Sequence, residues 1–155
     1  ITLVGHGLSM PMITVGAAAD GTPGVPPDNE GYTVAWFNQG PQVGADAGRA
    51  VLSGHTFRFG GALGNQLNNG LLQTGDVVVI SGADGATACY RYSGSHRVLV
   101  SDYDPDSDIL HDYLGSPQIG LVVCSDYALN GEALGRVIHY GDLITGNAGT
   151  ADQPS

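Results

Sequence analysis

Lysine is absent from the 155 residues: the five basic side chains are all arginine and face 15 acidic ones, for a formal net charge of −10. A chain so poor in positive charge is a weak ligand for phosphate-rich surfaces, which argues against nucleic acid and anionic lipid as partners. Charged residues of both signs reach only 13%. No apolar run is long enough to span a membrane as a helix. Ile1 is not an initiator Met followed by a charged leader, so the chain reads as a trimmed extracellular domain, compatible with a membrane-anchored parent. Cysteine is scarce too: Cys89 and Cys124 are too few for a disulfide framework or a four-thiolate zinc site. The residues themselves leave two readings open, one disulfide between them, or one buried apolar Cys and one reactive thiol. Neither His-Glu-x-x-His nor Cys-x-x-Cys occurs, and no cofactor is expected. Internal repeats are also missing.

What the chain does have is 42% hydrophobic residues and 25 glycines, a balance that suits one turn-rich all-β domain. Short apolar or alternating runs bounded by Gly, Pro, Asp and Asn predict strands over 1–4, 10–15, 33–37, 49–53, 76–81, 86–92, 96–101, 119–123 and 136–140. The Asp84-Gly85 step between 76–81 and 86–92 predicts a hairpin. Helical signals are limited to 63–69 and 108–114. The Pro-rich piece 22–28 reads as a surface loop, and 143–155 as a polar tail after a domain spanning 1–142.

Three features stand apart. Val51-Leu52-Ser53-Gly54-His55-Thr56 ends one strand, Leu121-Val122-Val123-Cys124 ends another, and Arg136 opens the last. In a small barrel such ends can converge on one rim. A thiolate is a nucleophile, an imidazole can stabilise it and later protonate a leaving amine, and a guanidinium can donate to an oxyanion without itself titrating. Spacing alone does not distinguish this set from a chance Cys and His.

A resemblance does. The chain resembles the sortases, most closely class F sortases of high-GC Gram-positive bacteria, over nearly all of 8–142. The similar segments are Ala19-Asp20-Gly21-Thr22 with Val25-Pro26-Pro27-Asp28, Val34-Ala35-Trp36-Phe37, Gly40-Pro41, Gly44, Gly48 and Ala50-Val51-Leu52-Ser53-Gly54-His55. They continue with Leu71-Leu72-Gln73-Thr74-Gly75-Asp76, the Cys124 strand and Arg136. The resemblance implies a closed eight-stranded β-barrel with one or two short helices, and His55, Cys124 and Arg136 as catalytic set. It further implies cleavage of a Leu-Pro-x-Thr-Gly-like sorting motif between Thr and Gly, through a thioacyl-enzyme, and transfer to an amine of a peptidoglycan precursor. The expected location is the outer face of the cell membrane, through an N-terminal anchor. The family's cysteine strand usually reads Thr-Leu-x-Thr-Cys; here Gly120-Leu121-Val122-Val123-Cys124 carries neither hydroxyl, which bears on rate and motif preference. Val122, Val123, Ile109 and Leu110, with Tyr113, are the expected substrate contacts.

The remaining candidates have plainer readings. Cys89 fits a buried position in an alternating strand, and a Cys89–Cys124 disulfide would silence the enzyme. His6, His96, His111 and His139 show no partner pattern and read as surface or core-edge histidines. Arg49, Arg58, Arg91 and Arg97 read as solvated or paired with carboxylates. Asp102, Asp104, Asp106, Asp108 and Asp112 invite a calcium reading, but counting from Asp102 an EF-hand needs Gly at Ser107 and Glu at Tyr113, so a solvated loop is the better one. Two rival functions remain: a pilin-polymerising sortase, against which the lack of a visible inhibitory lid argues mildly, and a catalytically idle sortase-like domain that only binds an extended peptide.

Overall fold

The computed structural model of the chain describes residues 1–82 and 84–145. Nine strands form one sheet: β1 (Thr2–Leu3), β2 (Leu8–Ser9), β3 (Met12–Val15), β4 (Val34–Phe37), β5 (Arg49–Ser53), β6 (Val77–Ser81), β7 (Thr87–Leu99), β8 (Gln118–Tyr127) and β9 (Ala133–Leu143). Their order is β2-β1-β6-β7-β9-β8-β5-β4-β3, parallel only at β3/β4 and β5/β8. The expected hairpin forms, with Val79 opposite Cys89. Its turn closes through the Gly82 N–H on the Ala86 carbonyl at 2.8 Å, and Gly85 at φ +88° supplies the left-handed residue such a turn needs.

The sheet is an open curled half-barrel of nine strands, where a closed eight-stranded barrel was expected. Its edges, β2 and β3, are separated in sequence only by Met10 and Pro11, yet they do not pair. Both backbone groups of Met10 are taken by Ile1, at 2.8 and 2.9 Å, and Pro11 has no N–H to donate. On its other side the Pro11 carbonyl accepts from the Val34 N–H at 3.0 Å, so β2 and β3 follow one another along the chain, each against a different neighbour, and do not fold back into a ladder.

Two further expectations change. The separate strands 86–92 and 96–101 are one strand, β7, which bends at an irregularity between Tyr92 and Gly94 instead of breaking. The expected helix over 108–114 does not form. The carbonyls a helix would use there are drawn outward: those of Asp108 and Leu110 accept from the Arg49 guanidinium at 2.6 and 3.1 Å, that of Ile109 accepts from the Tyr140 hydroxyl, and that of Asp112 accepts from the Arg49 N–H. Tertiary partners override a weak local preference. Arg49 is thus a buried structural arginine, also bonded to Gln118 Oε1 and stacked 4.7 Å over the Tyr140 ring. The helix expected at 63–69 is present as α1 (Leu63–Asn68), with Leu63 and Leu67 buried one turn apart. β9 runs to Leu143 and the Ile144 N–H bonds the Cys89 carbonyl; the tail from 146 onward lies outside the described residues.

The two sheet faces bury different things. Leu52, Ile119, Leu121, Val123 and Val137 join the main core with Tyr90, Tyr92 and the α1 leucines. On the opposite face Val51 and Ile138 pack with Phe37 and Leu110 beneath the irregular 103–117 segment. No helix among the described residues is long and apolar enough to cross a membrane.

Candidate active site

The sheet order places β5, β8 and β9 side by side. β5 runs parallel to β8 with Ser53 opposite Val122, and the Gly54 N–H reaches the Val122 carbonyl at 3.2 Å. The ladder ends there, and His55 follows Ser53 by two residues as Cys124 follows Val122. In the antiparallel pair β8/β9, Cys124 lies directly opposite Arg136, and directly opposite residues share a face. Three side chains distant in sequence thus meet in one row, and all three line a groove of about 680 Å³. Its other lining residues include Val98, Val122 and Ile138 of the sheet, with Tyr103, Leu110 and His111 of the overlying segment.

Of the expected substrate contacts, Leu110, Val122 and Val123 line this groove and Ile109 and Tyr113 do not. Ile109 packs instead against the cluster of Phe37 and Val51, and Tyr113 stacks outward on the His111 ring. Val123 contributes to the lining but its side chain, 2% exposed, belongs to the main core. Both cysteines are free: Cys89 sits in the β6/β7 ladder, and Cys124, half-buried, opens to the groove.

The Pro-rich segment 22–28 is a largely exposed loop, as expected, and is also a wall of the site. Asp20, Thr22 and Val25 line the groove, the Ser53 hydroxyl donates to the Gly24 carbonyl, and His55 Nε2 lies 2.7 Å from the Pro26 carbonyl. A carbonyl only accepts, so Nε2 carries the proton and Nδ1 is the ring nitrogen left for chemistry. Nothing in the composition of 22–28 signals this role, because it is played by backbone carbonyls.

Arg136 donates from Nη1 to the carbonyls of Gly135 at 2.8 Å and Ala133 at 3.3 Å. Among the described residues the ion pairs are His6–Asp76 and Arg97–Asp126, so Arg136 is not neutralised by a carboxylate there. The carboxylate that follows Cys124 by two residues, Asp126, is bound by Arg97 at 2.8 and 2.6 Å. Those bonds, with one from the Ser125 hydroxyl, hold its carboxyl below the usual range. His111, at the far wall, keeps a buried Nδ1 without a hydrogen bond; desolvation, then the nearby Arg49 charge, lowers its pKa.

Chemically the row offers a thiol nucleophile, an imidazole with one free nitrogen and an uncompensated guanidinium, which are the parts of an acyl transfer.

No family model matches the chain, and no curated protein is significantly similar to it in sequence. Solved structures match it in fold. The pilus-related sortase C of Group B Streptococcus matches at 17% identity and a TM-score of 0.64, over 93% of this chain and 65% of its own. Sortase C-1 of Actinomyces oris matches at 24% and 0.57, over 74% and 59%, and sortase A of Corynebacterium diphtheriae at 19% and 0.56, over 74% and 49%. The chain therefore has the sortase fold, and it spans about half to two thirds of the length of these structures. They are sortases A and C, so the likeness holds for sortases as a fold family and does not extend to class F.

Proposed function

We propose that this chain is a sortase, a cysteine transpeptidase that cuts a Leu-Pro-x-Thr-Gly-like motif between Thr and Gly and joins the Thr carbonyl to an amine. The observation that carries this reading is the alignment of His55, Cys124 and Arg136 across three neighbouring strands of a sortase fold, open to one groove. Cys124, as thiolate, attacks the Thr carbonyl carbon. The Arg136 guanidinium donates to the oxyanion. As the tetrahedral intermediate collapses, the C–N bond breaks and the His55 imidazolium gives its Nδ1 proton to the leaving Gly amine, its Nε2–H remaining on the Pro26 carbonyl. A second amine then attacks the thioester, returns a proton through His55 and frees Cys124. The apolar floor of Val122 and Ile138 with Leu110 suits the Leu-Pro end of such a motif.

On this reading the chain is a class F sortase, the acceptor is an amine of a cell-wall precursor, and the protein works at the outer face of the membrane through an anchor. A pilin-polymerising role, with a Lys amine of another pilin as acceptor, is the second reading, favoured by the pilus-related sortase C with which the chain shares a TM-score of 0.64.

Mass spectrometry of the protein with a Leu-Pro-x-Thr-Gly peptide, with and without an added amine, tests the reading. A Thr-ended acyl-enzyme and a transpeptidation product, both lost in Cys124→Ala, are expected. Comparing a peptidoglycan-stem amine with a Lys-containing pilin peptide separates the two acceptors. Failure across a panel of Leu/Pro-centred peptides, with Cys124 inert to a vinyl-sulfone peptide, would leave an idle peptide-binding domain.

A further inference from the structure

Helix α1 bonds the backbone of both candidate reacting residues. The Gly64 N–H donates to the His55 carbonyl at 2.9 Å, and one turn later Asn68 Nδ2 donates to the Cys124 carbonyl at 3.0 Å. The approach is close: a Cβ on Gly64 would stand 2.6 Å from the His55 oxygen and 2.6 Å from Thr56 Cγ2, so only glycine seats the helix there.

The Cys124 carbonyl needs such a donor. In the β5/β8 ladder the Gly54 N–H takes the Val122 carbonyl, and the next donor along β5 would take that of Cys124. The chain turns away at His55 instead, and the Thr56 hydroxyl bonds Tyr127. A backbone acceptor left without its ladder partner is filled by a side chain.

That side chain is itself held from the core. His139, 5% exposed, places Nε2 3.1 Å from Asn68 Oδ1 and Nδ1 3.0 Å from the Tyr92 hydroxyl. An amide oxygen only accepts, so Nε2 carries the proton and Nδ1 accepts from Tyr92. Burial pushes the imidazole down to about 4, which keeps it neutral at pH 7. The chain Tyr92 to His139 to Asn68 to Cys124 then has one consistent direction, and Asn68 has one amide orientation.

We infer that Asn68 is a positioning residue: carried on α1 and locked by His139, it fixes where the Cys124 backbone, and with it Sγ, stands relative to His55. The inference rests on the proposed acyl transfer. Because misplacing a reacting atom by about 1 Å can cost about 100-fold, the loss of one such bond is expected to lower kcat about tenfold.

The test uses Asn68→Ala and Asn68→Asp, with the exposed neighbour Asn69→Ala as control. Asp keeps an acceptor for the His139 N–H but has no N–H for Cys124, and it serves if the Ala variant does not fold. Peptide transfer gives kcat and KM, and the pH profile of Cys124 alkylation by iodoacetamide gives a readout independent of the peptide. The expected result is a roughly tenfold fall in kcat with KM within about twofold, a shifted alkylation profile, and an unchanged control. Variants within about twofold of the parent in kcat, with the same alkylation profile, would overturn the inference. If the unaltered protein transfers no peptide, the proposed function fails while alkylation still decides the role of Asn68: a changed rate and midpoint in Asn68→Ala uphold it, and unchanged ones remove it.

Discussion

Along β8 successive residues meet opposite environments. Ile119, Leu121 and Val123 face the main core and are at most 6% exposed, whereas Val122 and Cys124 face the groove and stay half-buried. β9 alternates in facing too, with Val137 and His139 inward and Arg136 toward the groove, although Ile138, which also lines the groove, is buried in the second cluster. One face is closed by apolar packing and a satisfied polar chain; the other leaves a thiol and a guanidinium without comparable closure. The alternation of the strand, period two, is what lets stability and chemistry occupy adjacent residues without sharing atoms.

If that division holds, the largest effects on the groove face are on rate alone. Cys124→Ala is expected to abolish thioacyl formation, a loss of at least about 1,000-fold in transfer, and Arg136→Ala to cost on the order of 100-fold in kcat, both with little change in melting temperature. Peptide-transfer kinetics beside thermal melting check this. A large melting shift in either variant would mean that the groove face also carries the fold.

On the core face the next effect is a pH dependence of stability. An ordinary His titrates near 6.5, and His139 in the folded chain near 4, because burial disfavours its charged form. The unfolded chain therefore binds the proton more readily between those values. The folded state keeps its full stability above about pH 6.5 and loses up to about 3 kcal/mol as the pH falls toward 4. His111 shifts in the same direction and adds to the loss. The lowered carboxylates of Asp76 and Asp126 start from an ordinary value of 3.8 and act below this window. Urea unfolding at stepped pH should show the decline, and His139→Gln should remove most of it; a flat profile in the parent protein would mean that His139 titrates freely.

The candidate side chains that the structure brings to one groove were singled out from the sequence, and the backbone groups that frame them were not. His55, Cys124 and Arg136 each end or open an apolar run, and the residues that frame them resemble a family's segments in order and spacing. Most strand positions also follow from alternation, but not β2, nor the continuity of β7 through 87–99. Barrel closure did not, because the neighbours of β2 and β3 are set by long-range backbone bonds, Met10 to Ile1 and Pro11 to Val34, that no periodicity records. The helix expected over 108–114 is absent because Arg49, about sixty residues earlier, claims its carbonyls. Likewise Pro26 and the Tyr92–His139–Asn68 chain act through long-range hydrogen bonds. His139 reads in sequence as a lone histidine, and only the paired strand and α1 reveal it as a core group with both nitrogens bonded.

The smallest expected effect sharpens the comparison most, because it separates neighbouring residues. The family's cysteine strand has a hydroxyl where this chain has Val123, but that side chain packs in the main core near Gly54 and Gly64. Val123→Thr would bury a hydroxyl among apolar neighbours, at a cost of about 1–3 kcal/mol. Val122→Thr puts the same hydroxyl on the face of Cys124, half-buried and beside the reacting carbonyl, where it should change stability by less than about 0.5 kcal/mol. There a new donor to the thioacyl oxygen is worth about 1 kcal/mol, a rise of about fivefold in kcat/KM. Melting temperatures and transfer rates of the two variants, measured together, decide it: a stability loss at 122 with a rate gain at 123 would reverse the facing of β8, and with it the placement of Cys124 in the groove.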